Sequence, residues 1–264
     1  YFDLFIEAAL GYSKWFWGQI TFQSSEGLWS NYFYLLILIS GLFFALEMLM
    51  PWREKQARFR KDFCLDFFYM FFNFFLFSVI IFAGISEVGV TLFKDLLTFF
   101  GISNLVAINI ESWTSWAQLL TLFIVKDFVE WWIHRLLHRS SWLWEFHKVH
   151  HSVEQMGFAA HLRYHWMENV VYKTIEYVPL AMIGFSLGDF FLVHMIAIAI
   201  GHWNHANFHF NIGWLKYIFN NSAMHIWHHA KDIPEQRKYG INFGLSLSVW
   251  DYIFGTDYIP HSGR

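Results

Sequence analysis

The chain has 264 residues, of which 56% are hydrophobic, 22% aromatic and only 15% charged. An ordinary soluble domain carries about 25% charged residues, so the deficit points to a membrane solvent rather than water. A formal charge of −3 excludes a strongly basic nucleic-acid-binding face, and the single cysteine, Cys64, excludes an intrachain disulfide framework and any thiolate metal cluster.

The first residue is Tyr1 rather than Met, as expected where an upstream segment is missing, and nothing patterned as a signal peptide is found. Residues 31–50, "NYFYLLILISGLFFALEMLM", form a first candidate membrane span. It is closed by Pro51, with Glu47 near its end, where a charge is less costly. Residues 67–85 hold no charge over nineteen positions, and a helix of that length, at about 1.5 Å per residue, crosses a bilayer core of about 30 Å. Between these spans "PWREKQARFRKD" carries five Lys/Arg residues, which the positive-inside rule places in the cytoplasm. The loop after the second span, with Glu87, Asp95 and Glu111 against Lys94 alone, then lies outside.

Residues 113–138 read as a third span, apolar at first and then acquiring Lys126, Asp127 and Glu130. It delivers His134 and His138 to the cytoplasmic face. Residues 166–209 fit a helical hairpin with its turn at Gly188-Asp189 and a kink at Pro179. Lys173 and Glu176 make the outgoing limb a poor lipid-facing span that penetrates only partly. The returning limb brings His202, His205 and His209 to the side of the first histidines, and the tail from Asn211 is more polar. The expected fold is therefore all-α. It is a polytopic integral membrane protein with about four to six membrane-embedded helices and a cytoplasmic histidine-rich cap. Residues 1–264 form a single membrane domain, with N-terminal spans and loops over 1–112 and a histidine-box catalytic region over 113–264.

All fifteen histidines lie at or after His134. In "HRLLH", His134 and His138 stand at i, i+4 on one helical face, with Cβ atoms roughly 5–6 Å apart, and two such imidazoles can grip one ion. "HKVHH" adds His147, His150 and His151, and "HIWHH" adds His225, His228 and His229; each offers three ligands from one helical turn. "HANFH" repeats the i, i+4 spacing with His205 and His209. One such pair alone is as often a packing feature as a metal site. Two HxxHH clusters and two HxxxH pairs on one predicted face point to metal. A zinc site uses three or four protein ligands, so ten histidines suit two ions. Neutral imidazole binds zinc, iron, copper and nickel alike, and the residue types do not choose between iron and zinc.

His161, His165 and His202 are each candidates for a ligand, a donor that holds a ligand, or a cavity wall. His194 is roughly 16 Å along a helix from His205, suited to lining a substrate channel, and His261 belongs to the tail. Asp127 and Glu130 share a helical stripe with His134 and His138. Either of them orients a ligand by accepting its second N–H, or pairs with Lys126 or Arg135 on the helix surface.

These motifs resemble the fatty acid hydroxylase/sterol desaturase superfamily of membrane-bound di-iron oxygenases. "DFVEWWIHRLLH" resembles its first histidine box, "HKVHHS" its second and "HIWHH" its third. "RYHWME" is similar to Arg-x-His-Pro-x-Glu, with Trp166 in place of proline. "KYG" is similar to Asn-Tyr-Gly, with Lys238 in place of Asn, and "WDYIFGT" resembles the closing motif. The resemblance runs from Asp127 to Thr256. It implies that His134, His138, His147, His150, His151, His225, His228 and His229 are core metal ligands. It also implies that His205 and His209 are an additional pair, His209 the less secure.

The resemblance further implies two iron ions, O2, a cytoplasm-facing site and a long-chain lipid substrate; zinc in a purified sample would not contradict it. Removal of hydrogen from a C–H bond followed by hydroxyl return gives an alcohol, and loss of a second hydrogen gives an alkene. The sequence holds no four-cysteine site, nucleotide-binding glycine fingerprint or haem-domain signature, so an external electron donor is expected: a ferredoxin, a cytochrome or a pterin. A metal-dependent membrane hydrolase acting on a lipid is the alternative; it would consume no oxygen. A divalent-metal transporter would keep its ligands near the bilayer midplane, and a di-haem cytochrome would use isolated histidines rather than HxxHH.

Overall fold

The computed structural model describes residues 1–23, 27–76, 83–101, 110–185 and 187–260. His261 lies outside them. Among the described residues there are helices and no strand, only an isolated antiparallel bridge between Phe219 and Leu247.

Helix α1, Phe2–Ile20, is an element that the hydropathy reading left unassigned; it packs against α4, Ala83–Phe99, and Tyr1 Oη donates to Asp95 Oδ2 at 2.7 Å. Helix α2, Tyr32–Leu49, coincides with the first expected span. Asn31 caps it by accepting from the Tyr34 N–H at 3.1 Å, and Pro51 follows its end. Among the described residues α2, with a mean hydropathy of 2.0, is the one helix long and apolar enough to cross a membrane. The uncharged run 67–85 is divided between α3, Phe63–Phe71, a π-helical segment, Phe72–Leu76, and the start of α4. Its middle, residues 77–82, lies outside the described residues. The other expected spans carry too much polarity to qualify by hydropathy: α5, Ser115–Arg139, contains Lys126, Asp127, Glu130 and Arg135, and α8, Leu187–His205, contains three histidines.

The basic loop after α2 folds onto the segment that follows the second histidine box. Arg53 Nη2 and Gln56 Nε2 donate to the Met156 carbonyl at 2.9 and 2.6 Å, and Arg60 Nη1 to that of Gln155 at 2.6 Å. Arg60 also pairs with Asp66, and Arg163 with Asp62 and Asp66. Two of the loop's five cations, Arg53 and Arg60, thus hold the fold together, while Lys55, Arg58 and Lys61 remain exposed.

The hairpin forms from α7, Trp166–Ile183, which continues through Pro179, and α8. Its turn falls at Gly184, with φ +104°, and not at Gly188-Asp189. Gly184 adopts a left-handed φ that other residues resist. Asp189 instead sits in the first turn of α8, where a carboxylate complements the helix dipole. Helix α8 stops at His205. There Asn207 is drawn away to the end of α2 and the loop after it: its N–H donates to Glu47 Oε1 at 2.6 Å, and its Oδ1 accepts from the Arg53 N–H at 2.7 Å. His209 is therefore not on the helix, and the expected i, i+4 pair with His205 does not form.

Ser140 caps α6, Ser141–His151, and Asn221 caps α9, Ser222–His228. Helix α10, Val249–Phe254, closes the chain. Two buried carboxylates tie the C-terminal segment to α5. Asp127 accepts from the N–H groups of Ser246 and Leu247 and from Trp250 Nε1; Asp251 accepts from Trp131 Nε1 on α5 and from the N–H groups of Phe243 and Gly244. Asp127→Ala strands three buried donors, each costing about 1–3 kcal/mol. Thermal unfolding in detergent should show a stability loss of roughly 3 kcal/mol or more.

Candidate metal centre

The chain folds so that its three histidine boxes and the end of α8 converge. Two groups result, each with ligand atoms within 4.8 Å of one another: His134, His138, His147, His151 and His228 in one, and His150, His205, His225 and His229 in the other. The groups abut, with the rings of His151 and His229 at 4.4 Å and those of His150 and His229 at 4.6 Å. Each HxxHH turn is shared between them.

Local hydrogen bonds set the ring tautomers. A carbonyl oxygen only accepts, so a ring nitrogen bonded to it carries the proton. By this rule Nδ1–H of His134 donates to Phe243 (2.8 Å), of His150 to Arg163 (3.1 Å), of His205 to Gly201 (2.8 Å) and of His228 to Ile241 (2.7 Å). His147 Nδ1 stands 2.8 Å from Glu168 Oε2 and donates to it when that carboxyl is ionised. The four rings bonded to carbonyls are left with an unprotonated Nε2. Among the described residues, Nε2 of His134 and of His228 is buried with no hydrogen-bond partner, and so are His151 Nε2 and both nitrogens of His229. More tellingly, Nε2 of His205 faces Nε2 of His150 at 3.2 Å, although both rings carry their proton on Nδ1. Two lone pairs held that close repel unless a cation lies between them. Two nitrogens bound to one ion at roughly 2.0–2.1 Å each stand on the order of 3 Å apart, so the donor set fits a metal.

Electrostatics agree. Burial, then repulsion among neighbouring imidazoles, holds His147, His151, His225 and His229 well below the ordinary histidine range. Burial does the same for His228 and pushes His150 down to about 4. At neutral pH these rings are neutral, the form that binds a metal ion.

The structure brings together nine of the ten nominated ligands and leaves His209 apart, its ring 4.8 Å from that of Trp52. Asp127 and Glu130 touch no imidazole in the hydrogen bonds described: Asp127 holds the segment 246–250, and Glu130 pairs with Lys126, which also meets Glu176 at 3.2 Å. His165 stands away from both groups against Phe146 and Trp166, accepting the Met167 N–H. His161 and His202 belong to neither group but adjoin one. Their Nδ1 atoms are 3.0 Å apart, the His161 ring lies 5.2 Å from that of His205, and His202 Nε2 meets Ser40 Oγ at 3.0 Å. Gly201 permits this approach: a Cβ there would lie 2.1 Å from His161 Nε2. His194 lines the adjoining cavity and meets Tyr32 Oη at 3.1 Å.

Sequence reasoning passed over Glu168, although the carboxylate three residues after His165 was the signal. That cavity reaches His134, His147, His150, His205 and His225. An apolar stretch of its wall includes Leu162, Ala197 and Ile198, and a polar one includes Glu168 and Lys126.

A helical protein that gathers nine imidazoles, six buried and three half-buried, into two adjoining groups is a candidate binuclear metalloprotein. The fatty acid hydroxylase family model matches residues 119–256, from within α5 to just beyond α10. The chain belongs to the fatty acid hydroxylase family, as its ordered motifs implied. It is 29% identical to an ornithine lipid hydroxylase of Rhizobium tropici, over 57% of this chain and 44% of that protein. It is 33% identical to a very-long-chain aldehyde decarbonylase of Oryza sativa subsp. japonica, over 53% and 46%. It is 31% identical to the alkylglycerol monooxygenase of Homo sapiens, over 54% and 31%. The chain thus spans less than half the length of these relatives. No solved structure matches it.

Two variants test the arrangement. Glu168→Ala releases the ring of His147 and should weaken metal binding about 10–100-fold. His205→Ala should lower metal content while His209→Ala leaves it unchanged; metal analysis of the purified variants checks both.

Proposed function

We propose that the protein is a membrane-embedded, oxygen-dependent oxidase of a long-chain lipid C–H bond, a hydroxylase or desaturase. It would hold two iron ions through His134, His138, His147, His151 and His228 on one side and His150, His205, His225 and His229 on the other. The observation that carries this reading is the pair of adjoining imidazole groups with Nε2 lone pairs turned on one another, within the stretch matched by the family model. The names of the relatives, which include an ornithine lipid hydroxylase and an alkylglycerol monooxygenase, support a lipid substrate. None of those reported is a hydrolase, and the hydrolase alternative finds no support.

When bound, the metal pair supplies activation of O2, with electrons from a ferredoxin, a cytochrome or a pterin. The protein's own residues do the rest. Backbone carbonyls of residues 163, 201, 241 and 243 fix the ring orientations. Glu168, when ionised, keeps the proton of His147 on Nδ1. Burial of the groups keeps water from a reactive centre, and the cavity wall of Leu162, Ala197 and Ile198 suits an alkyl chain. The contact between the basic loop and residues 155–156 favours one shared side for that loop and the second histidine box. Three exposed cations, Lys55, Arg58 and Lys61, favour the cytoplasm for it.

Lipid mass spectrometry of cells with and without the active chain should find a lipid that gains one oxygen atom or loses two hydrogen atoms. His150→Ala or His228→Ala should abolish that change with helical content largely kept; full activity in either variant would remove the site. Cysteine labelling should find positions 58 and 152 on the same membrane face.

A further inference from the structure

The cavity wall carries three ionisable side chains that the metal centre does not use. Lys126 of α5 pairs with Glu130 one turn along the same helix and, at 3.2 Å, with Glu176 of α7. The Glu130 and Glu176 carboxyls are also within hydrogen-bonding reach of each other. The side chains of Lys126 and Glu176 are 2% and 3% exposed. Among the described residues that line the cavity, Lys126 is the one lysine or arginine. The Glu130 side chain is 15% exposed. It points nearly opposite to Trp132, the exposed residue two positions on, so its accessible part opens into the cavity. His134 lines the same cavity one turn further along α5. The other titratable groups near the three are Asp127 of α5, Glu168 and Tyr172 of α7, and His194 of α8.

One ammonium balances one carboxylate, and a second buried carboxylate without a partner is costly. Two carboxyls that meet in such a place hold one proton between them. Hydroxylation consumes protons as well as electrons: R–H, O2, two electrons and two protons give R–OH and water. Desaturation takes the same two protons and gives two waters. A centre buried from solvent receives them through its own side chains. We infer that Lys126, Glu130 and Glu176 are the proton supply of this centre. The Glu130–Glu176 pair holds one proton, and Glu130 passes it into the cavity where oxygen is reduced to water. Lys126 balances the charge left behind until a proton from solvent replaces it. The inference deepens the oxygenase reading and rests on it for the use of the proton; the shared proton itself does not require turnover.

The test uses the purified full chain, loaded with iron, in detergent. Infrared difference spectra of wild type against Glu130→Gln and against Glu176→Gln should each show the carbonyl stretch of a protonated carboxyl lost from the variant, because the remaining carboxylate then balances Lys126 and needs no proton. No such loss in either variant would overturn the inference. Lys126→Met, Glu130→Gln and Glu176→Gln are then combined, which removes every charge of the triad and leaves no buried ion unpaired. The chain is reduced with dithionite, and one pulse of O2 is admitted over a lipid extract of the host cells, with oxidised lipid followed by mass spectrometry. The triple variant should keep its metal, oxidise lipid about 100-fold more slowly, and speed up as pH falls, since solvent must now supply the proton directly. Full speed, loss of metal, or a slowed rate that ignores pH would each make the triad a structural tie between α5 and α7 and overturn the inference. Where the triple variant does not fold, Glu130→Gln is held to the same readings. Oxidation at full speed in the variant defeats this inference alone, while the infrared loss with no lipid oxidised by the wild type defeats the oxygenase reading alone.

Discussion

The protein's architecture depends on imidazoles whose Nδ1 protons are pinned outward, so that their Nε2 lone pairs meet. His205 Nε2 stands 3.2 Å from that of His150, and both rings carry their proton on Nδ1. Without a cation such a cluster is repulsive as well as desolvated. A metal turns the same closeness into ligation, so metal binding and folding of this region are thermodynamically one event.

The scaffold meets this constraint mainly with backbone. Four carbonyls, one in the loop before α7, one on α8 and two in the C-terminal segment, take the Nδ1 protons, and each must be held in place by something else. Asp251 grips the N–H groups of Phe243 and Gly244, so the Phe243 carbonyl stays under His134. Asp127 ties the following turn to α5. Arg163, whose carbonyl orients His150, is itself anchored by Asp62, Asp66 and Ser152. Charged side chains in a largely apolar chain thus serve the metal centre at one remove.

Much of this was legible in the sequence. The HxxHH and HxxxH spacings placed nine imidazoles that the fold brings together, and the run 31–50 became α2 nearly residue for residue. What the pattern could not carry were contacts between distant segments. The pair His205 and His209 has helical spacing, but Glu47 and Arg53, more than 150 positions away, capture Asn207 and end the helix first. Asp127 sits on the histidine stripe, yet its partners come from 119 and more residues downstream. Backbone carbonyls that orient rings have no side-chain signature. Hydropathy alone missed α1, whose residues spread charge and aromatic rings along its length.

The most direct measurement is iron content and iron K-edge absorption of the purified chain after loading with ferrous iron. The account predicts two ions per chain, a coordination shell rich in histidine nitrogen, and a metal–metal separation of about 3.5–4 Å. A single ion per chain, or iron whose shell lacks imidazole nitrogen, would contradict it.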